Sequence, residues 1–253
     1  MTEDSAYAVP PCGAAKGLRT VILAGGRGVR LLPFTANFPK PLMPLGDIPI
    51  VEVLVRRLIA FGLTDVTLTL GHLGALIKAY FHHRQELTRQ LTLHFVEEDE
   101  PTGTAGSLAF VPGLDKTFLV MNSDLLTDID FNKLVLFHRQ SGAALTIATH
   151  ERRVKIDLGV LEFDKDHRVV KYVEKPEMDY RVSMGIYVYE PYVLQYIEPG
   201  AYLDFPDLVL RLLAGKIPVS AYPSDGLWLD IGRPEDYAQA QDLFSTKKEA
   251  LLG

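Results

Sequence analysis

The feature that most constrains this fold is an alternation of short apolar runs with helical periodicity up to about residue 150. Buried strands are predicted at residues 19–23, 65–70 and 117–121 from their length and their aliphatic, β-branched composition. Between them, apolar residues recur at helical spacing over residues 51–61 and 73–82. Strands separated by helices of this length need crossover connections. The pattern therefore predicts an α/β fold in which helices cover both faces of a mainly parallel sheet.

The pattern changes beyond residue 150. Three closely spaced strands are predicted at residues 160–163, 169–173 and 184–189, with little helix between them. Helical patterns return at residues 205–213 and 234–244. Strands so close together are joined by short turns, so we expect a small antiparallel excursion from the sheet.

Length and composition limit the classes of protein to consider. The 253 residues suit one domain, expected at residues 18–253 after a polar leader at residues 1–17 that we expect to be disordered. The net charge of −6 argues against a nucleic-acid partner. Cys12 is the only cysteine, which excludes a disulfide within the chain and a cysteine-based zinc site. No apolar run reaches the roughly 18–20 residues that span a bilayer, so we expect a cytoplasmic protein without a membrane partner; homo-oligomerisation stays open.

A glycine-rich segment follows the first predicted strand directly. Open α/β sheets bind ligands at the carboxyl ends of their strands, and glycines let backbone N–H groups approach phosphate oxygens. The segment lacks the Gly-Lys-Ser/Thr of a P-loop, and Leu31 occupies the position of the third glycine in a dinucleotide-binding fingerprint. A tight turn without a ligand is the alternative. The candidate nucleotide contacts are Leu23, Ala24, Gly25, Gly26, Arg27 and Gly28.

Cations distinguish this loop from an ordinary turn. Arg27, Arg30 and Lys40 lie within a short stretch of an otherwise acidic chain, and four prolines between residues 33 and 44 restrict its backbone. An arginine offers phosphate a planar pair of donors, whereas a lysine offers a point charge. The combination favours polyphosphate binding.

The run LAGGRGVRLLPFTANFPKPLMPLG, residues 23–46, resembles the signature of the sugar nucleotidyltransferases. In that family an LAGG turn leads to G-x-G-T-R and PKP segments. The resemblance implies a Rossmann-like three-layer fold and catalytic roles for Arg30 and Lys40. Val29 departs from the pattern, since the family usually has threonine there.

Two aspartates follow short apolar runs in distant parts of the chain. Asp124 ends the segment 121–124, and Asp230 lies within Trp-Leu-Asp-Ile-Gly at residues 228–232. An isolated aspartate after a strand is often a turn or cap residue. Mg²⁺, however, needs only one or two protein carboxylates when it accompanies a nucleotide. The family's N-G-D and W-x-D-x-G segments bind its metal, so the resemblance implies that Asp124 and Asp230 are catalytic Mg²⁺ ligands.

A second set of segments is assigned to the sugar phosphate by the resemblance alone. Glu174-Lys175-Pro176 matches the family's E-K-P segment, in which the glutamate binds sugar hydroxyls and the lysine binds the phosphate. Gly159 matches a position at which the backbone contacts the sugar in the family, and Tyr187 is expected near the same sugar site. The alternatives are a surface ion pair for Glu174 and Lys175 and a core aromatic for Tyr187.

The acidic stretch at residues 97–106 occupies the base-reading segment of the family. A carboxylate only accepts hydrogen bonds, so Glu98 suits guanine, which offers adjacent N1–H and N2–H donors. Gly103 and Thr104 lie in a G-T-A-G stretch similar to that of GDP-mannose-type pyrophosphorylases. Both observations favour GTP, with dTTP, UTP, CTP and ATP as alternatives. A solvated acidic loop without a base contact is the remaining interpretation.

The expected reaction joins an NTP to a sugar 1-phosphate and releases pyrophosphate. The attacking phosphate has a second pKa of about 6 and is largely dianionic at neutral pH, so no general base is required. A non-catalytic regulatory subunit that binds nucleotide sugars is the alternative from a different class. A kinase is disfavoured because its motifs are missing. The identity of the sugar stays open.

Overall fold

A computed structural model describes residues 13–98 and 100–252. Strands and α-helices are numbered here in chain order. The strands are β1 (Arg19–Ala24), β2 (Pro44–Leu45), β3 (Ile48–Pro49), β4 (Asp65–Leu70), β5 (Thr92–Glu97), β6 (Phe118–Asn122), β7 (Leu125–Thr127), β8 (Leu145–Lys155), β9 (Val160–Phe163), β10 (Val169–Val173), β11 (Glu177–Tyr189), β12 (Val219–Ser224) and β13 (Trp228–Asp230). The α-helices are α1 (Ile50–Ala60), α2 (Gly74–His83), α3 (Gln85–Thr88), α4 (Gly103–Gly106), α5 (Phe131–Ser141), α6 (Phe205–Ala214) and α7 (Pro234–Leu252). Short 3₁₀ turns cover Val29–Leu31, Lys40–Leu42, Ser107–Phe110 and Pro191–Tyr196.

Seven strands form one central sheet in the order β12-β8-β11-β6-β1-β4-β5. Four neighbouring pairs are parallel, namely β1 with β4, β1 with β6, β4 with β5, and β8 with β12. β11 is antiparallel to both of its neighbours, β6 and β8. The mixed, mainly parallel sheet and the antiparallel excursion are confirmed. Among the described residues, no helix combines the length and apolarity needed to cross a membrane.

Alternating side chains of the central strands build two separate cores. On β1, Ile22 belongs to the core beneath α1, α2 and α5, whereas Val21 belongs to the core beneath α6. On β6, Met121 and Val120 divide in the same way. Successive residues of a strand point to opposite faces, so a strand covered on both sides is mostly apolar on both. The three-layer arrangement predicted from the sequence follows from this burial.

A ribbon of two strands leaves the sheet beyond its carboxyl edge. The sequence predicts strands at residues 143–149 and 184–189, but β8 continues to Lys155 and β11 begins at Glu177. These predictions are too short because the added residues are mostly charged and do not read as a buried strand. The extended ribbon and the β9–β10 hairpin between its strands are called the arm, residues 151–182.

The described part of the expected leader, residues 13–17, forms a turn against the domain. The Ala15 N–H donates to Asn132 Oδ1 at 2.9 Å, and the Gly17 N–H donates to the Gly62 carbonyl at 3.0 Å. Residues 1–12 lie outside the described residues. The boundary of the leader at residue 17 therefore stays a prediction.

A glycine allows β11 to bend where it leaves β6. The pairing register of β11 with β8 shifts between Ser183 and Tyr187, and Gly185 has a φ of 72° within this irregularity. A Cβ atom on Gly185 would lie 2.6 Å from Asn122 Nδ2, at the carboxyl end of β6. Both the backbone and the neighbouring side chain therefore require glycine at this position.

Gly185→Ala is expected to lower the free energy of unfolding by about 2–4 kcal/mol, because backbone strain and a steric clash act together. Gly142→Ala is the matched control: its φ is 62°, but a Cβ there has no neighbour within 4 Å. That control isolates the backbone strain and should cost about 1 kcal/mol. Urea unfolding measures both, and equal losses would show that the contact with Asn122 is unimportant.

Candidate active site

A cleft of about 810 Å³ opens over the carboxyl ends of β1, β4, β5 and β6. Its floor is made by the loops that leave these strands, including the glycine-rich loop after β1 and the segment after β5. This is the edge at which open α/β sheets bind ligands. The glycine-rich segment after the first strand predicts a ligand site at the same edge.

Close backbone contacts shape the glycine-rich loop. A Cβ atom on Gly71, after β4, would lie 2.6 Å from the Gly25 carbonyl oxygen. Gly28 has a φ of 62°, and a Cβ there would lie 3.1 Å from Thr35 Cγ2 and 3.2 Å from Lys40 Cβ. The Thr35 hydroxyl donates to the Gly28 carbonyl at 2.7 Å. Because these glycines have no side chain, the loop backbone forms the surface of the cleft and packs directly against Lys40.

Lys40 connects the loop to the end of β6. It begins the 3₁₀ turn Lys40–Leu42, is only 8% exposed, and forms an ion pair with Asp124 Oδ2. Arg30 also lies against this part of the cleft, because a Cβ on Gly232 would be 3.3 Å from its guanidinium. Two cations therefore face the carboxylates predicted from the sequence.

Asp230 reaches Asp124 through the pairing of two short strands. β13 runs antiparallel to β7, which places Asp230 opposite Leu125, and the Ile231 N–H donates to the Asp124 carbonyl at 2.9 Å. Burial raises the pKa of the Asp230 carboxyl, and the charge of Asp124 raises it further. Lys40 and Arg30 oppose this shift without cancelling it. The raised pKa reflects carboxylates held close together in a partly buried corner.

The corner fits a small divalent cation. Asp124 Oδ1 is buried and has no hydrogen-bond partner, which is unfavourable for a carboxylate oxygen unless a cation binds it. The described residues contain no group of three or more His, Cys, Asp or Glu side chains arranged around a metal. A site with one or two carboxylates agrees with Mg²⁺, which keeps several waters and shares phosphate oxygens.

Most of the predicted nucleotide contacts line the cleft. The lining residues from that set are Leu23, Gly25, Gly26, Arg27, Gly28, Glu98, Gly103 and Thr104, joined by Arg30, Lys40 and Asp124. Ala24 is buried beneath the loop instead, with 2% exposure, and does not line the cleft. Asp230 lies behind the lining, beside Asp124.

Glu98 is held by the turn that follows it. Its Oε2 accepts hydrogen bonds from the backbone N–H of Thr102, at 3.1 Å, and from the Thr102 hydroxyl. Its own N–H donates to the Leu70 carbonyl at 3.0 Å. A ligand in the cleft would therefore find Oε1 free of these bonds, whereas Oε2 is already shared.

The turn at residues 102–106 is fastened to a distant segment, residues 201–205. Gly103 has a φ of 82°, and a Cβ there would lie 2.5 Å from the Leu203 carbonyl oxygen. Asp204 Oδ1 accepts from the Thr104 N–H at 3.1 Å, and Oδ2 accepts from the Tyr202 hydroxyl at 2.7 Å. Tyr202 and Asp204 consequently become part of the cleft wall.

The predicted sugar-phosphate residues lie outside the cleft lining. Gly159, Glu174 and Lys175 are on the exposed arm, where the Tyr172 hydroxyl donates to Glu174 Oε2 at 2.6 Å. Tyr172 also packs so closely on Gly159 that a side chain there would collide with its hydroxyl. The structure thus brings these residues together with one another but not with the nucleotide contacts.

Tyr187 is buried behind the corner that holds the two aspartates. Its ring stacks on Phe205 with centroids 3.8 Å apart, and its hydroxyl accepts from Ser183 Oγ at 3.3 Å. Burial raises the pKa of the Tyr187 hydroxyl to about 12, and the charges of Asp124 and Asp230 add to the shift. The side chain therefore serves the core and also lies within electrostatic reach of the carboxylates.

A sequence profile of the nucleotidyl transferase family matches residues 19–247, which span nearly all the elements described above. The chain belongs to this family. The match includes the loop, both aspartates and the arm.

Relatives within the nucleotidyl transferase family have different nucleotides in their names. The chain is 33% identical to a UTP–glucose-1-phosphate uridylyltransferase of Synechocystis sp. over 88% of its length and 62% of the relative's. It is 30% identical to a mannose-1-phosphate guanyltransferase of Candida albicans over 90% of its length and 65% of the relative's. It therefore spans slightly less than two thirds of these curated relatives. The crystal structure of HddC from Yersinia pseudotuberculosis superposes with a TM-score of 0.67 at 25% identity, covering 90% of this chain and 99% of that one.

Some residues that line the cleft of this chain were not identified from the sequence. Gly71 and His72 follow β4 at the same edge as the glycine-rich loop, so the rule that identified that loop also applies to them. Tyr202 and Asp204 had no comparable signal, because they reach the cleft only through their bonds to Thr104 and to each other.

Asp230→Asn is expected to raise the melting temperature by about 2–4 °C at pH 7 in the absence of divalent cations. A carboxyl with a raised pKa stabilises the fold when protonated, below its unfolded pKa of about 3.9, and this stabilisation is lost as the pH rises through the folded pKa. The gain should therefore shrink as the pH falls towards 4.

Differential scanning calorimetry between pH 4 and 7 measures this gain. Asp242→Asn, on the exposed side of α7, is the control and should change the melting temperature by less than about 1 °C. A gain that is equal at both pH values would contradict the explanation from the charge of Asp230.

Proposed function

We propose that this protein is a sugar-1-phosphate nucleotidyltransferase that joins the nucleoside monophosphate of an NTP to a sugar 1-phosphate and releases pyrophosphate. The supporting observation is the corner where Arg30 and Lys40 face Asp124 and Asp230 at the end of a glycine-lined cleft. Family membership and the names of the relatives support the same reaction class.

Positioning and charge neutralisation account for the catalysis. An oxygen of the sugar phosphate attacks the α-phosphorus in line, forming a P–O bond as the bond to pyrophosphate breaks. The attacking phosphate is largely dianionic at neutral pH and needs no general base. Arg30 is assigned to the charge that develops on the phosphates of the NTP. Lys40 holds Asp124 and screens the repulsion between the two substrates.

Asp124 and Asp230 are proposed to hold Mg²⁺. The buried Oδ1 of Asp124 and the raised pKa of the Asp230 carboxyl both indicate a corner that a divalent cation would stabilise. When bound, the ion supplies charge neutralisation at the phosphates. The protein's own contribution is to hold two carboxylates together before the nucleotide arrives.

GTP is the proposed nucleotide. Glu98 lines the cleft and keeps Oε1 free to accept a hydrogen bond from guanine. Thr102 already bonds Oε2, so a contact with both guanine donors would require Oε2 to be shared with Thr102. UTP is the second candidate, and the similarity to the Synechocystis uridylyltransferase supports it.

The sugar phosphate is assigned to the arm and to Tyr187. Glu174 and Lys175 supply an acceptor for hydroxyls and a cation for phosphate, and Gly159 adds backbone close to them. Because these residues do not line the cleft in this structure, the proposal requires the arm to bend towards Asp124 when substrate binds. A non-catalytic binding subunit is disfavoured, since the loop cations and both carboxylates are retained.

Arg30→Ala is expected to lower kcat by about 100- to 1,000-fold in a pyrophosphate-release assay with GTP and mannose 1-phosphate or another accepted sugar phosphate. Removing the guanidinium leaves charge on the transferring phosphates without its partner. Arg233→Ala is the matched control, because Arg233 is exposed next to Gly232 and does not line the cleft. Near-normal turnover in Arg30→Ala would contradict the role assigned to Arg30.

Glu98→Gln is expected to lower kcat/KM for GTP by about 10- to 100-fold and to affect UTP less, because it removes a charged acceptor. A panel of GTP, UTP, dTTP, CTP and ATP measures this change. Thr102→Val is the control for loosening the turn, since it removes only the hydroxyl bond to Glu98. Equal losses for all five nucleotides, or wild-type preference for UTP, would overturn the choice of GTP.

A further inference from the structure

A second cavity, of about 340 Å³, opens at the edge of the central sheet opposite to the cleft. It is called the amino-edge cavity, and its lining consists of residues 16–19, Asp65, Gly113, residues 115–117 and Arg139. β1 begins at this cavity with Arg19 and ends beneath the cleft with Ala24, and its parallel neighbours β4 and β6 run the same way. The two cavities share no lining residue.

Positive charge is concentrated in the amino-edge cavity. Its lining contains four cations and two carboxylates, namely Lys16, Arg19, Lys116 and Arg139 against Asp65 and Asp115. The lining therefore has a formal charge of +2, whereas the whole chain carries −6. A local excess of cations attracts anions even when the net charge of the protein is negative.

Arg19 is held in a fixed position at the wall of the cavity. Its Nη1 donates to the Pro112 carbonyl at 2.6 Å, and a Cβ on Gly113 would lie 2.5 Å from the same nitrogen. Its Nε lies 3.7 Å from Asp65 Oδ1, which is too far for a hydrogen bond, and both buried atoms lack a hydrogen-bond partner. Asp65 therefore compensates the charge of Arg19 only in part. A guanidinium fixed in this way can offer its remaining donors to a ligand without first being ordered.

The other three cations converge on the cavity from separate segments. Arg139 is in the last turn of α5, where a cation stabilises the helix end. Lys16 precedes β1 and Lys116 precedes β6, so that explanation does not apply to them. The ion pairs found in the described part of the chain include none of the three. Cations that line one cavity without a paired carboxylate repel one another, and an anion between them would remove this repulsion.

We propose that the amino-edge cavity binds a small phosphate-bearing anion at a site separate from the cleft. Its volume is at the lower end of the roughly 300–1,000 Å³ typical of ligand pockets, which suits a small molecule rather than a polymer. A phosphate group carries about −1.5 to −2 charges at neutral pH and so matches the cationic excess, whereas one carboxylate would neutralise only half of it. Arginines supply paired donors for phosphate oxygens and lysines supply point charges.

Isothermal titration calorimetry of the full chain without divalent cations tests the proposal. Pyrophosphate is the first titrant, in about 150 mM KCl, which screens diffuse attraction between exposed charges. We expect a binding event that persists in Arg30→Ala, because Arg30 lies in the cleft. Lys116→Gln combined with Arg139→Gln should raise the dissociation constant of this event by about 10- to 100-fold, since two charged donors are lost.

Lys133→Gln combined with Lys165→Gln is the matched control. It removes the same charge from exposed positions outside the cavity, and Lys133 is on the same helix as Arg139. The control should bind pyrophosphate like the wild type. An equal loss of affinity in the control would overturn the proposal, because it would show that net charge alone attracts the anion.

Lys16→Gln gives a second test from a segment outside α5 and should weaken the same binding event. Both Lys116 and Arg139 are exposed, so the thermal midpoint of their double variant should match the wild type. Pyrophosphate binding that is lost in Arg30→Ala and unchanged in the cavity variants would overturn the proposal.

Inorganic phosphate and glucose 6-phosphate, titrated in the same way, distinguish the sources of the phosphate group. Tighter binding of pyrophosphate than of the other two would identify the diphosphate as the ligand. Tighter binding of glucose 6-phosphate would identify a sugar phosphate. If none of the three anions binds more weakly to the cavity variants than to the control, the proposal is wrong.

Discussion

The carboxylates of Asp124 and Asp230 lie side by side at the end of β6, and the cleft depends on the backbone contacts that hold them together. Asp124 and Asp230 come together because β7 pairs with β13 and the Ile231 N–H donates to the Asp124 carbonyl. Backbone hydrogen bonds impose this proximity whatever the charge of the side chains. Burial raises the pKa of the Asp230 carboxyl, and so does the part of the repulsion from Asp124 that Lys40 and Arg30 do not offset. Holding the two carboxylates together therefore lowers the stability of the fold, and a bound cation would offset this loss.

The general plan of the fold and the centre of the site could be predicted from local sequence. β1 and β6 are mostly apolar because both faces are covered, so their ends and the residues that follow them were identifiable. Gly25 and Asp124 follow those strands, and parallel strands present their carboxyl ends at one edge. Local pattern and tertiary position agree at these residues.

Elsewhere the decisive contacts join residues that are far apart in sequence. Asp230 meets Asp124 through strands of three residues, which are too short to show a periodic pattern. Glu98 could be assigned to the base-reading segment, but its bond to Thr102 depends on how the turn closes. The length of the arm was underestimated because β8 ends in charged residues such as Arg153, whose pairing with β11 has no signal in the local sequence.

The attachment of the turn at residues 102–106 to the segment 201–205 has a consequence for redesign. Ala105 and Gly106 both donate backbone hydrogen bonds to the Leu203 carbonyl, and Asp204 binds Thr104. A Cβ on Gly106 would also lie 2.9 Å from the Ala201 carbonyl oxygen, so the two segments pack directly against each other. Altering the substrate range of the cleft would therefore require replacing residues 102–106 and 201–205 together, although they are far apart in the sequence.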